Sequence, residues 1–232
     1  MSLTGKKAVI TGISKGIGRA LTEQLLDKGA IVAGIGLNQP NYTHPNLHFV
    51  KASVRKQEEV EMAFTEALEK LENRVDILVN NAGLGYFGYF EEMPVEQVME
   101  IFEVNVMGLY FVTRCTIPVM KQQLSGHIIN ISSIAGLEGM EQVAAYCGAK
   151  HAVRGITDSL FRELRTFGIK VTGVYPGSVQ TDFFNNVESI TAHDRMLQPE
   201  EVASQIINAL ETSDNFLMNT LVFRPLNVKP RK

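Results

Sequence analysis

Short apolar runs alternate with stretches of helical periodicity along the whole chain. Ala8-Val9-Ile10-Thr11 reads as a buried strand, after which Ile17, Ala20, Leu21 and Leu25 recur at helical spacing. Lys28-Gly29 stops that helix, a basic last turn followed by a residue able to take positive φ. Ile31-Val32-Ala33 opens a second strand and His48-Phe49-Val50 a third, and Pro40 and Pro45 make the stretch between them a loop rather than a helix. The spacing then predicts a helix from Gln57 to Leu71, a strand at Ile77-Leu78-Val79, a long helix from Val95 to about Gln122 and a strand from His127 to Ile131. A helix from Ala145 to Phe167, a strand from Lys170 to Tyr175, a helix from Pro199 to Leu210 and a strand at Leu221-Val222-Phe223 complete the series. Strands that are apolar almost without interruption are buried on both faces. The alternation therefore predicts an α/β fold whose mostly parallel sheet is covered by helices on each side.

The 232 residues suit one such domain, and no composition break, repeat or low-complexity segment divides them. A net charge of −3 without a long basic run favours neither nucleic acid nor an anionic membrane surface as partner. Cys115 and Cys147 are too few for a disulfide framework and fit a reducing compartment. Gly12 ends the first apolar run too early for a signal peptide, and no apolar stretch is long enough to span a bilayer. These bounds predict a cytoplasmic globular protein. Residues 181–198 have weak periodicity between a strand and a helix, which suits either a substrate loop that closes as a lid or a plain long connection.

Three motifs carry chemistry. In Thr11-Gly12-Ile13-Ser14-Lys15-Gly16-Ile17-Gly18 a strand turns into a helix through three glycines, which let the backbone turn sharply and a ligand approach it. The helix N-terminus beyond offers unpaired N–H groups and partial positive charge, suited to a pyrophosphate. The spacing is neither the usual G-x-G-x-x-G nor a Walker phosphate loop, and by itself the motif could be an ordinary glycine-rich turn. Second, Tyr146-Cys147-Gly148-Ala149-Lys150 sets a phenol and an ammonium on one helix face. A nearby cation favours phenolate, lowering the tyrosine pKa from about 10 and making the group a usable proton donor or acceptor. Such a pair also arises by chance on solvated helices. Third, Ile129-Asn130-Ile131-Ser132-Ser133 ends an apolar strand in two hydroxyls, and open α/β sheets bind ligands beyond the carboxyl ends of their strands. A turn or helix cap would explain Ser133 equally well.

In this order and at these intervals, the glycine turn, Asn80-Asn81-Ala82-Gly83, Asn105, Ser133, Tyr146, Lys150 and Pro176-Gly177 resemble the short-chain dehydrogenase/reductase family in its classical form. The resemblance covers nearly the whole chain, and the Ser133-to-Tyr146 interval and Tyr-x-x-x-Lys spacing are its most specific elements. It implies a single doubly wound, Rossmann-like domain with a seven-stranded parallel sheet. It also implies that Gly12, Gly16 and Gly18 form the turn under the cofactor, with Ser14, Lys15 and Ile17 lining it. Asn81, with Ala82 and Gly83, would lie by the adenosine-side ribose. Pro176 and Gly177 lead to Val179, whose backbone would reach the nicotinamide amide, helped by Thr181. Tyr146 would exchange the proton, while Lys150 lowers its pKa and holds the nicotinamide ribose. Ser133 would bind the substrate oxygen, and Asn105 would hold a water in a relay towards Lys150. The implied reaction is hydride transfer between a nicotinamide cofactor and a small carbonyl or secondary-alcohol substrate. Negative charge then builds on the carbonyl oxygen, and each preplaced hydroxyl donor can stabilise it by roughly 3 kcal/mol.

Departures from the family pattern sharpen the expectations. Ser53-Val54 stands where the family usually has an Asp followed by an aliphatic residue; Val54 can still pack on the adenine, without the Asp contact. The helix usual between the second and third strands is missing. Gly36 and Leu37 end the second strand where an NAD-selective site carries a carboxylate, so nothing there repels a 2′-phosphate. Lys15 resembles the basic residue that contacts this phosphate in many relatives, and Asn38 could donate a second bond. NADP(H) is therefore the favoured cofactor and NAD(H) the alternative. The ending Val222-Phe223-Arg224-Pro225 is less like acyl-carrier-protein reductases than like members acting on hydroxy acids and other small polar alcohols. The helices from Val95 and Ala145 resemble those that pair in family dimers, commonly within tetramers, which implies a homo-oligomer. Tyr86, Phe87, Tyr89 and Phe90 could wall an apolar cleft, or serve as core or subunit contact. The scattered histidines make no metal site, and Cys147 reads as packing. A non-catalytic dinucleotide-binding regulator would have no need of Tyr146 and Lys150. A nucleotide-sugar epimerase or dehydratase resembles a longer chain.

Overall fold

In β1 (Lys7–Thr11) every position is buried, with Ala8 and Ile10 facing one side of a sheet and Val9 the other. The computed structural model describes residues 1–183, 193 and 195–226. In it β1 is joined by β2 (Ile31–Gly36), β3 (Leu47–Lys51), β4 (Ile77–Asn80), β5 (Gly126–Ile131), β6 (Ile169–Pro176) and β7 (Thr220–Phe223). All pairings are parallel, in the order β3-β2-β1-β4-β5-β6-β7. The chain builds outward from β1 first to one edge and then to the other, so its direction reverses between β1 and β4. Connections on either side of such a reversal leave to opposite faces and open a crevice at the carboxyl ends of the strands.

Helices α1 (Gly16–Asp27) and α6 (Pro199–Leu210) cover one face, placing Leu21, Leu25, Ile206 and Leu210 against Ala8, Ile10 and Ile129. The other face is covered by α2 (Gln57–Lys70), α4 (Leu109–Gln123) and the end of α5 (Ala144–Leu164), with Phe64, Val112, Met120 and Leu164 on Val9, Leu78 and Ile128. The stop at the end of α1 is a Schellman motif: Gly29 takes φ +80°, its N–H bonds the Leu26 carbonyl and that of Ala30 bonds Leu25. At the start of α6, Gln198 and Glu201 form a reciprocal capping box with Pro199 just inside.

Two local features position the site. The predicted long helix is continuous but not uniform: between α3 (Val95–Phe102) and α4 lies a π-helical turn, Glu103–Gly108, with Asn105 buried inside it. Residues 38–46 form a loop, as the prolines require. Tyr42 supplies the cover that a helix would give, its hydroxyl bonding the Ile13 carbonyl at 3.0 Å and its ring carrying the Arg19 guanidinium at 5.2 Å. Of the candidate loop 181–198, residues 184–192 and 194 lie outside the described residues. No helix among the described residues is long and apolar enough to cross a membrane.

Candidate active site

The glycine turn is built at the carboxyl end of β1. Gly12 (φ +73°) and Gly16 (φ +59°) occupy the left-handed region, where a side chain is strained. A Cβ on Gly18 would collide with the Gly12 carbonyl and the Asn81 carboxamide. The turn is tied to the end of β4. Asn81 Nδ2 donates to the carbonyls of Thr11 (3.0 Å) and Gly12 (2.9 Å), while Thr11 Oγ1 accepts the N–H groups of Asn81 and Ala82, both at 3.0 Å. Asn81 thus holds the turn itself, a role not foreseen beside the ribose. Thr11 was not singled out, although a hydroxyl closing an apolar strand is the signal that could have marked it.

Around this turn the other candidate cofactor residues fall into two groups. The Gly12 N–H bonds the Ile35 carbonyl at 2.9 Å, so the end of β2 runs beside the turn, with Leu37 and Asn38 exposed beyond it. A Cβ on Gly16 would touch Thr181 Cγ2 at 3.1 Å, which places Thr181 over the turn. Lys15 is exposed, its ammonium 3.9 Å from the Asp182 carboxylate. Ile17, in the first turn of α1, packs against the core. The remaining positions are occupied with local structure. Ser53 donates its N–H to Glu59 at 2.9 Å and accepts that of Arg55, leading into α2. Val54 is buried against Gly108 of the π-turn. Gly177 bonds the Phe223 carbonyl at 2.7 Å, and Val179 bridges to Leu197.

Ser133, Tyr146, Lys150 and Asn105 converge beyond β5. Ser133 Oγ accepts the Ala135 N–H at 3.1 Å, capping the short turn Ile134–Gly136, as the cap reading of this serine expects. Burial pushes the Tyr146 phenol above its ordinary pKa near 10, against the downward pull of a hydrogen bond with Ser133. Lys150 is 4% exposed and donates to the Ile131 carbonyl at 3.1 Å. Its ammonium stands 5.5 Å from the centre of the Tyr146 ring, and burial pushes its pKa down to about 8. The expected lowering of the Tyr146 pKa by Lys150 is not what this arrangement produces: the two share a helix face, yet the ammonium is drawn to the end of β5.

Asn105 owes its position to the π-turn, whose wider ring of backbone lets the side chain fold inward. Its Nδ2 donates to the carbonyls of Leu84 and Ile101, both at 2.8 Å, while its Oδ1 is buried without a partner. A Cβ on Gly83 would come 2.9 Å from this oxygen and 3.5 Å from Lys150 Nζ, so Gly83 keeps open the space between them. A cavity of about 10 Å³ lined by Thr11, Asn80 and Asn105 is the size of a single water, and an orphan buried acceptor needs such a donor.

Aromatic rings form the remaining wall. Of the four aromatic candidates after Asn81, Phe87 alone packs on the Tyr146 ring, at 5.9 Å between centres. Tyr86 turns its hydroxyl to Glu100 at 2.7 Å, while Tyr89 and Phe90 are exposed. Phe183, which the sequence pattern did not mark, completes the cluster 5.5 Å from Tyr146.

Residues 6–191 match the family model described as short chain dehydrogenase. The chain is 33% identical to a farnesol dehydrogenase of Aedes aegypti over 241 aligned positions, 97% of this chain and 98% of that one. A 3-ketoacyl-(acyl-carrier-protein) reductase from Brucella melitensis, solved with NADH, superposes with a TM-score of 0.90 at 27% identity, covering 97% of this chain and 99% of that one. An alcohol dehydrogenase from the archaeon Thermococcus sibiricus, solved with 5-hydroxy-NADP, gives 0.86 at 25% identity over 98% and 99% of the two chains. With its glycine turn, its Ser133, Tyr146 and Lys150 and its sheet order, the chain belongs to the short-chain dehydrogenase/reductase family of oxidoreductases.

Proposed function

We propose that this oxidoreductase moves a hydride between NADP(H) and a carbonyl or secondary-alcohol substrate. The observation that carries the reading is the convergence of Ser133, Tyr146, Lys150 and Asn105 beyond β5, beside the glycine turn of β1. The residues fit a dinucleotide. Gly12 and Gly16 leave the turn bare of side chains, and Gly83 keeps space open beside Lys150. The stretch from Gly12 to Gly18 would hold the pyrophosphate at the N-terminus of α1, with Thr181 against it. Asn38, Val54 and the segment from Asn81 to Gly83 would flank the adenosine half, and Lys150 the nicotinamide ribose. In the bridge between Val179 and Leu197 the ladder bonds are made by Ser178 and Gln180, which turns Val179's own N–H and C=O to the opposite side, available to an amide. When bound, the nicotinamide supplies or accepts the hydride.

The chain's own residues manage the proton. Tyr146 donates it to the substrate oxygen in reduction and takes it back in oxidation, and burial keeps the phenol protonated and ready to donate. Ser133 donates a hydrogen bond to the same oxygen, an interaction that strengthens as charge builds there. Lys150, titrating near 8, and a water on Asn105 Oδ1 return the proton to Tyr146. The solved relatives named above carry NADH in one case and 5-hydroxy-NADP in the other, so the NADP(H) preference rests on Lys15 and on the uncharged Gly36-Leu37.

Tyr146→Phe tests the assignment. The variant should keep its fold and its binding of NADPH, followed by cofactor fluorescence, and lose nearly all turnover. A variant retaining more than about a tenth of the wild-type rate would have lost under about 1.4 kcal/mol, and Tyr146 would not be the proton donor. Wild-type protein that binds NADPH yet reduces no carbonyl would favour a regulator instead.

A further inference from the structure

We propose that Tyr42 is a positioning residue for the dinucleotide: its hydroxyl holds the Ile13 carbonyl and, through that peptide, aims the Ser14 N–H at the cofactor's pyrophosphate. The proposal rests on the reading of the glycine turn as the cofactor site and adds to it a residue from outside the turn. Two glycines, Gly12 at φ +73° and Gly16 at φ +59°, give the turn its shape but also leave its backbone loose in the absence of restraint. A loose turn would have to be ordered by the ligand at a cost in affinity, whereas a turn fixed beforehand binds without that cost.

The restraint comes through carbonyls. Asn81 Nδ2 meets those of Thr11 and Gly12, and the Tyr42 hydroxyl meets the next one, that of Ile13, at 3.0 Å. A trans peptide is planar and carries its C=O and N–H on opposite sides. Holding the Ile13 carbonyl towards Tyr42 therefore turns the Ser14 N–H the other way. The N–H groups of Gly16, Ile17 and Gly18 follow at the start of α1, whose ladder begins with Arg19 bonded to the Lys15 carbonyl at 3.3 Å. Consecutive backbone donors of this kind suit phosphate oxygens. Ile13 is also fixed at its other end, because a Cβ on Gly34 would collide with Ile13 Cδ1, so the side chain fills the notch that this glycine leaves in β2.

Tyr42 can act as a clasp because the loop that carries it is itself anchored. Pro40 is buried, and the Tyr42 ring packs half-buried against the core on the α1 side. Arg19 of α1 grips two successive loop residues: it donates to Asn41 Oδ1 at 3.1 Å and its guanidinium lies 5.2 Å from the centre of the Tyr42 ring. Glu23 holds that guanidinium in turn at 3.0 Å. The neighbouring Thr22 hydroxyl gives its proton to the Gly18 carbonyl at 2.7 Å and leaves the Ile13 carbonyl to Tyr42. Burial raises the Tyr42 pKa above 10, so at neutral pH the phenol keeps the proton it donates.

The test titrates NADPH and NADH, by cofactor fluorescence, into wild type, Tyr42→Phe and Tyr42→Leu. Tyr42→Phe keeps the ring, its packing and its contact with Arg19, and removes only the hydroxyl. It should raise Kd by about three- to tenfold, the effect of one hydrogen bond, and by the same factor for both cofactors because both carry the pyrophosphate. The melting temperature of the free Phe variant should fall by at most about 4 °C, and Tyr42→Leu should weaken binding at least as much as Tyr42→Phe. A Phe variant that binds like wild type while the Leu variant is weakened would mean that the ring only packs, and overturns the proposal. A loss confined to NADPH overturns it too, since the 2′-phosphate would then be what Tyr42 serves. Wild type that binds neither cofactor overturns the cofactor reading itself.

Discussion

Lys15 has a choice of anion. Its partner Asp182 is 3.9 Å away and both side chains are more than half exposed, an arrangement that contributes little to stability. A 2′-phosphate, with up to twice the charge, displaces such a partner readily. A hydrogen bond to a charged group contributes about 1.5–3 kcal/mol, so Lys15 should give NADPH a preference of roughly 10- to 100-fold over NADH. Lys15→Ala should erode most of that preference and change NADH use little, as read from kcat/KM for both cofactors in both proteins. A wild-type preference for NADH, or an unchanged ratio in the variant, would rule Lys15 out as the reader. At this scale the meeting of Ser133, Tyr146 and Lys150 was legible, because it follows from residue type and spacing. Thr11 was not, since its hydroxyl serves the backbone of Asn81, 70 positions away. Nor was Phe183, which sits where periodicity fades, or the aim of the Lys150 ammonium, which is set by the neighbouring strand.

Among elements, the strands were legible because burial on both faces leaves an almost unbroken apolar run, and the loop 38–46 because two prolines forbid its helix. The π-turn was not, because apolar spacing on either side reads as one α-helix. β5 carries a further property that the pattern hides. His127 is 6% exposed, and its Nε2 meets Thr172 Oγ1 at 2.8 Å. That hydroxyl already donates to the Met218 carbonyl, so the imidazole is the donor and its Nε2 holds the proton. Burial, helped by nearby Lys170, pushes the His127 pKa down to about 3 from an ordinary 6.5. Above 6.5 the ring is neutral folded or unfolded. Between 6.5 and about 3 only the unfolded chain takes the proton, so stability falls as pH falls, by up to about 1.4 kcal/mol per pH unit. His127→Gln keeps a donor for Thr172 without a titrating ring. Denaturant melts of both proteins from pH 7 to 4 should show a shallower decline in the variant; equal slopes would mean that His127 is protonated in the native state.

At the scale of the whole molecule, one side remains apolar. Val95, Met99, Phe102, Met107 and Tyr110 along α3, the π-turn and α4 are all at least 38% exposed. Gly148 and Gly155 are exposed on α5, and a Cβ on Gly155 would meet nothing. A large apolar surface beside small residues suits close helix contact across a two-fold axis. We expect a homo-oligomer, a dimer or a tetramer built from two-fold contacts, in sedimentation at micromolar concentration. Tyr110→Glu should shift it towards smaller species, whereas a wild-type monomer under these conditions would contradict the expectation.

The π-turn also acts as a phase shifter. An α-helical residue advances the azimuth by about 100°, so one residue beyond the α count turns everything after it by that amount. A single rod can then present Ile101 to the Tyr146 cluster and, beyond the offset, Val112 and Met120 to the sheet. Residue number between 103 and 108 is consequently as constrained as residue identity: removing one would put Asn105 and the α4 core stripe out of step together, however conservative the remaining side chains.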